Sequence, residues 1–193
     1  NGIDVKVYVV NFSDSRSKDF LINLDRLKNN GVWPVFLSEL SELPEIAPQA
    51  IVVDAIFGIG LSRPPSSWVV KLINHINQSK AFVLSIDVPS GLFMDKVPQE
   101  SSMVIHANHV ISFQTPKLVF FLPETGIFLN SWEVVDIGLS PQFLQQAIPQ
   151  AELVTKRLIL SHYQPRNKFS HKGTYGHSLI VGGSYGKIGA VIL

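Results

Sequence analysis

Two short apolar runs that each end on an aspartate constrain this chain more than any other feature. Ile51-Val52-Val53-Asp54 and Phe82-Val83-Leu84-Ser85-Ile86-Asp87 have the length and composition of strands, and a glycine loop and one amphipathic helical repeat separate them. Strand, helix, strand in that order is the signature of parallel pairing through a crossover, so it predicts an α/β fold with a mostly parallel sheet. In such sheets ligands gather at the carboxyl ends of the strands, which is where both aspartates fall.

The alternation extends in both directions. Ile3 to Val10 reads as a strand, and Phe20, Leu21, Leu24 and Leu27 share a helical face that Asn29-Asn30-Gly31 stops. Val32 to Leu37 reads as a strand that Pro34 moves towards an edge. Trp68, Val69, Leu72, Ile73 and Ile76 give the face of the crossover helix, with Pro64 and Pro65 suited to its start because their missing amide donors would be unpaired there. Phe82 to Asp87 reads as a nearly continuous apolar strand, as expected of a strand buried on both faces. Val110 to Phe113, Leu118 to Phe121 and Glu133 to Ile137 read as further strands. After the polar segment Ser140 to Glu152 the character changes. Weak apolar spacing from Thr155 to Tyr163 leads into the basic, glycine-punctuated stretch Arg166 to His177, then a strand, Ser178 to Val181, and a second glycine loop, Gly182 to Gly189, that opens a last helix. A domain boundary near residue 155 is predicted, dividing 1–155 from 156–193.

Composition narrows the class. With 46% hydrophobic and only 16% charged residues among 193, much of the chain must be buried, as in a sheet between helices. No apolar run reaches the roughly 18 residues of a membrane span and no leader pattern opens the chain, so a soluble, cytoplasmic protein is expected. The lack of cysteine excludes disulfides and thiolate metal sites, and a net charge of +1 gives no basic field for nucleic acid. Both ends run into patterned segments, so the chain reads as a fragment of a longer protein.

Three groups could carry chemistry. Gly58-Ile59-Gly60-Leu61-Ser62-Arg63 can turn backbone amides towards an anion, with Arg63 adding a fork that matches phosphate. A tight strand-to-helix turn with a solvent-facing arginine accounts for the same residues, and spacing alone does not choose. It is not the dinucleotide fingerprint, because arginine stands where a third glycine belongs. Asp54 and Asp87, if their strands are neighbours, open into one crevice, where they could hold a cation or act as acid and base; each could equally cap the next turn. Val88-Pro89-Ser90-Gly91 turns the Ser90 hydroxyl back towards the strand end, and such hard oxygens suit an alkali or alkaline-earth cation over zinc. The six histidines show no ligand spacing, and Lys117 could reach a phosphate, though it reads more simply as a solvated lysine.

Taken together the motifs are specific. Val53-Asp54-Ala55-Ile56-Phe57-Gly58-Ile59-Gly60-Leu61-Ser62-Arg63 followed by Ser85-Ile86-Asp87-Val88-Pro89-Ser90-Gly91 resembles the NAD(P)H-hydrate epimerase domain, the YjeF N-terminal family. Phe113-Gln114-Thr115-Pro116-Lys117 and Val135-Asp136-Ile137-Gly138 fit the same family. His171-Lys172-Gly173-Thr174-Tyr175-Gly176-His177 with Gly182-Gly183-Ser184 and Gly189-Ala190 resembles the opening of an ADP-dependent NAD(P)H-hydrate dehydratase. The resemblance implies a Rossmann-like three-layer αβα domain over 1–155 and the first part of a ribokinase-like α/β domain over 156–193. It implies a bifunctional enzyme that interconverts the C6 epimers of hydrated NADH or NADPH and dehydrates one of them with ADP. It further implies a potassium ion on Asp54 and Ser90, substrate contacts from Gly58, Ile59, Gly60, Leu61, Ser62, Arg63 and Pro64, and Asp87 as the acid that meets the substrate. Ala190 matches a substrate-contacting alanine of the dehydratase. The family's Asn-Asn-Gly-Gly-Asp loop is expected upstream of residue 1 and the dehydratase's catalytic half beyond residue 193, which leaves both sites incomplete in this chain. A small-molecule substrate is expected, with neither nucleic acid nor membrane as partner, and so is a homo-oligomer. Two rivals stand beside this reading. A non-catalytic nucleotide-binding or interaction module on the same fold would be expected to lose the strand-end acids, and both are present; a nicotinamide dehydrogenase would need a glycine register that Gly183, Gly186 and Gly189 do not have.

Overall fold

A computed structural model describes residues 4–13 and 15–192, the side chain of Ala190 excepted. The chain forms two compact units, Asn1–Gln150 and Ala151–Leu193.

The first unit is mixed α/β with parallel sheets, as a Rossmann-like fold requires. Strands β1 (Tyr8–Val10) and β2 (Val35–Leu37) pair in parallel, and β3 (Ile51–Asp54), β4 (Phe82–Ile86), β5 (His109–Phe113) and β6 (Trp132–Val135) form a second sheet in sequence order, all parallel. The register sets Asp54 beside Ser85 and Ser85 beside Val110. Parallel order demands crossovers, and helix α2 (Ser67–Gln78) supplies the one between β3 and β4. Its residues Val69, Leu72, Ile73 and Ile76 are buried in one core with Val83, Val110, Val104 and Phe128. Helix α1 (Lys18–Asn29) starts at Ser17, whose side chain accepts from the Phe20 amide, and ends at Asn30 before Gly31 at φ 78°.

Several elements differ from the sequence expectation, each for a local reason. The first strand is shorter than Ile3 to Val10, and Ile3 itself lies outside the described residues. Pro64 and Pro65 precede the N-cap Ser66 instead of entering the first turn of α2. Strand β4 is buried on one face only, since Val83 and Ser85 are enclosed while Phe82 is 47% exposed. Leu118–Phe120 is a 3₁₀ turn, not a strand: the Thr125 hydroxyl donates to the Val119 carbonyl at 2.6 Å and folds the segment back on itself.

The second unit carries α4 (Lys156–His162) and a short α5 (Gly189–Ile192), after α3 (Pro141–Gln146) has closed the first. Ser178 to Val181 does not form a strand; no described segment pairs with it, and Leu179, Ile180 and Val181 stand in solvent.

Candidate active site at the strand ends

The site grows from the carboxyl ends of β3 and β4. Asp54, the last residue of β3, is fully buried and its carboxylate is ringed by donors. Oδ2 accepts from the Ser85 hydroxyl at 2.7 Å and the Ser90 amide at 2.8 Å, and Oδ1 from the Ser90 hydroxyl at 2.5 Å and the Ile56 amide at 3.4 Å. Burial pushes its carboxyl above the ordinary value, against the pull of these hydrogen bonds. Ser90 Oγ in turn accepts from the Phe57 amide at 2.9 Å. What brings Ser90 there is the turn Pro89 to Leu92, which needs Gly91: its φ is 94°, and a Cβ would sit 1.9 Å from the Met103 carbonyl oxygen.

Asp87 begins where β4 stops. It leaves the strand conformation with φ 70°, a region a non-glycine residue occupies only when its surroundings impose it. Its Oδ2 accepts from the Ile59 amide at 3.1 Å, and its Oδ1 stands 3.6 Å from Lys117 Nζ. Gly58 lies against the same carboxylate, where a Cβ would come within 3.1 Å of Oδ2. The loop thus turns the Ile56, Phe57 and Ile59 amides inward to Asp54, Ser90 and Asp87 respectively, so these three donors serve the site's own side chains. Gly58, Ile59, Gly60, Ser62, Arg63 and Pro64 are exposed along the rim, with Leu61 partly so.

The sequence-predicted residues therefore lie together: Asp54, Ser90, Asp87 and the loop that begins at Gly58 cluster at the strand ends of the first unit. Ala190 belongs to the second unit, and its side chain lies outside the described residues. Sequence reasoning missed two partners. Ser85, a lone polar residue in an apolar strand, was a visible signal of a buried hydrogen bond. Lys117 is not solvated: its side chain is 15% exposed, and Nζ donates to the Phe113 and Thr115 carbonyls, each at 2.9 Å. Asp54 Oδ1, Ser90 Oγ and the Phe57 carbonyl, which lies 3.4 Å from that hydroxyl, form a set of hard oxygens carrying one carboxylate, a donor set that fits a weakly charged cation.

A parallel sheet with a glycine loop and two acids at its carboxyl edge defines an α/β domain of the Rossmann-like class. Comparison with known proteins gives the family: the chain belongs to the YjeF-related protein N-terminus family, matched over residues 1–119. It is 33% identical over 141 residues to a bifunctional NAD(P)H-hydrate repair enzyme of Coxiella burnetii, which covers 73% of the chain and 29% of that protein. A protein of the same description from Thermofilum pendens is 31% identical over 202 residues, covering all of the chain and 36% of that protein. An NAD(P)H-hydrate epimerase of Oenococcus oeni is 32% identical over 138 residues, covering 71% of the chain and 62% of that protein. The chain spans about a third of the length of the bifunctional relatives it matches.

Proposed function

We propose that this chain is the epimerase part of a nicotinamide-nucleotide repair enzyme, acting on hydrated NADH or NADPH. The observation that carries the reading is Asp87, an acid fixed at the crevice by the Ile59 amide and Lys117 in a chain whose relatives are named for this reaction. In the substrate, the C6 hydroxyl sits on a carbon next to the ring nitrogen. Protonated by Asp87, it leaves as water with the bonding electrons while the nitrogen lone pair forms a C=N bond. Water then adds to the opposite face of C6, the C=N electrons return to nitrogen, and the released proton goes back to Asp87. No oxidant or reductant is consumed.

Asp54 and Ser90 would hold a potassium ion, which when bound supplies a fixed positive charge beside the buried carboxylate and the substrate's phosphates. Gly58 to Pro64 would cradle the phosphorylated part: among the described residues the Gly60, Ser62 and Arg63 amides make no hydrogen bond, and the Arg63 side chain is exposed. In the same reading residues 1–155 belong to an epimerase domain. Residues 156–193 begin an ADP-dependent dehydratase in which Ala190 meets the substrate. The protein would work in the cytoplasm as a homo-oligomer on a small molecule, without nucleic acid or membrane; no helix among the described residues is long and apolar enough to cross one. Incubating the full protein with one resolved hydrate epimer and following the other by chromatography tests the proposal. Exchange faster than the uncatalysed rate is expected, and exchange at the uncatalysed rate contradicts it.

A further inference from the structure

We propose that Lys117 is a positioning residue for Asp87, holding its carboxyl group at the strand ends and stabilising the negative charge it carries between giving up its proton and taking one back. The inference rests on the epimerase reading and adds a residue to it. Three observations converge. Lys117 Nζ donates to the Phe113 and Thr115 carbonyls, each at 2.9 Å, and forms an ion pair with Asp87 Oδ1 at 3.6 Å. An ammonium so engaged is not free to follow a phosphate, whereas exposed Arg63 is.

The second observation is how firmly the lysine is placed. Strand β5 ends at Phe113, and Gln114 follows with φ 62°. Its amide donates to the Val135 carbonyl at 2.8 Å and its side-chain oxygen accepts from the Ile137 amide at 3.1 Å, which ties the turn to the end of β6. Pro116 then fixes the backbone just before Lys117. The third is the state of Asp87 itself: its φ of 70° is a strained conformation, and the Ile59 amide and the Lys117 ammonium grip one carboxylate oxygen each.

The consequence is electrostatic. When Asp87 gives its proton to the leaving hydroxyl it becomes a carboxylate next to a fixed ammonium, in a crevice where both side chains are about 85% enclosed, 14% exposed for Asp87 and 15% for Lys117. A preorganised charge of this kind acts on the transfer step and not on ground-state binding. Lys117→Met keeps the length and removes the charge; Lys117→Arg keeps the charge. In the full protein, Lys117→Met should slow epimer exchange on the order of 10- to 100-fold with hydrate affinity held within a few-fold, and Lys117→Arg should recover a substantial part of the rate.

Near wild-type exchange in Lys117→Met, affinity falling as far as turnover, or Lys117→Arg no faster than Lys117→Met would each overturn the proposal. A second measurement separates it from the reading on which it rests. If the wild type exchanges no epimers, the epimerase reading fails, and the melting temperatures of Lys117→Met, Asp87→Asn and the double variant then decide the pairing by themselves. A double-variant loss smaller than the sum of the single losses supports the clamp, and simple additivity overturns it.

Discussion

At the residue scale one buried carboxyl, Asp54, and one exposed arginine, Arg63, differ most in what surrounds them. Because burial raises the folded-state pKa of Asp54, the folded chain holds that proton more tightly than the unfolded chain does. Its contribution to stability is full below the ordinary carboxylate value of 3.8 and is lost as pH rises through the raised folded value. Once ionised, the group is a buried charge that a cation can offset. Without potassium, the wild type should therefore lose melting temperature relative to Asp54→Asn as pH is raised from about 4 towards 7. Potassium, compared with a bulky organic cation, should restore the wild type and leave the variant unchanged. Equal melting temperatures in the two cations, or a potassium effect that survives Asp54→Asn, would count against a cation at Asp54 and Ser90. Arg63, exposed on the rim, should act on binding: Arg63→Ala is expected to raise KM about 10-fold or more with kcat little changed. A fall in kcat at constant KM would place its guanidinium on the reacting ring. These residues were legible because acids at the ends of apolar runs are rare enough to notice. Lys117 was not, since its burial depends on a left-handed turn at Gln114 and a tie to β6 that no local pattern announces.

At the element scale, burial periodicity was the dependable signal. The face Trp68, Val69, Leu72, Ile73 and Ile76 identified α2, and four of those five residues are fully enclosed. Ile73 has no exposed surface, so Ile73→Ala should cost about 2–5 kcal/mol in denaturant unfolding, through lost transfer energy and the cavity left behind. A cost below about 1 kcal/mol would mean that α2 does not pack on the sheet as described. Strand prediction failed where pairing, not composition, decides. Leu118 to Phe121 and Ser178 to Val181 have strand-like residues, but a strand exists only with a partner. The first segment folds on itself through Thr125, and the second has no described neighbour. Strand β4 misled differently: a largely apolar run reads as buried twice over, yet Phe82 lies 47% exposed.

At the scale of the whole molecule, the sequence order of β3, β4, β5 and β6 is what turns scattered motifs into a site. It seats the Ser85 hydroxyl beside Asp54 and aligns the turns after β3, β4 and β5 along one edge. That edge carries the glycine loop, Ser90, Asp87 and Lys117, drawn from sequence positions about 60 residues apart. The measurement that tests the central claim most directly is epimer exchange in the full protein carrying Asp87→Asn, followed by chromatography beside a hydrate-binding titration. The substitution keeps the shape of the side chain and removes its proton transfer, a contribution typically worth about 10²–10⁴-fold. Exchange should fall by about that factor while the hydrate still binds within a few-fold. A variant that exchanges epimers at nearly the wild-type rate would contradict the account and leave Asp87 as a residue of the turn.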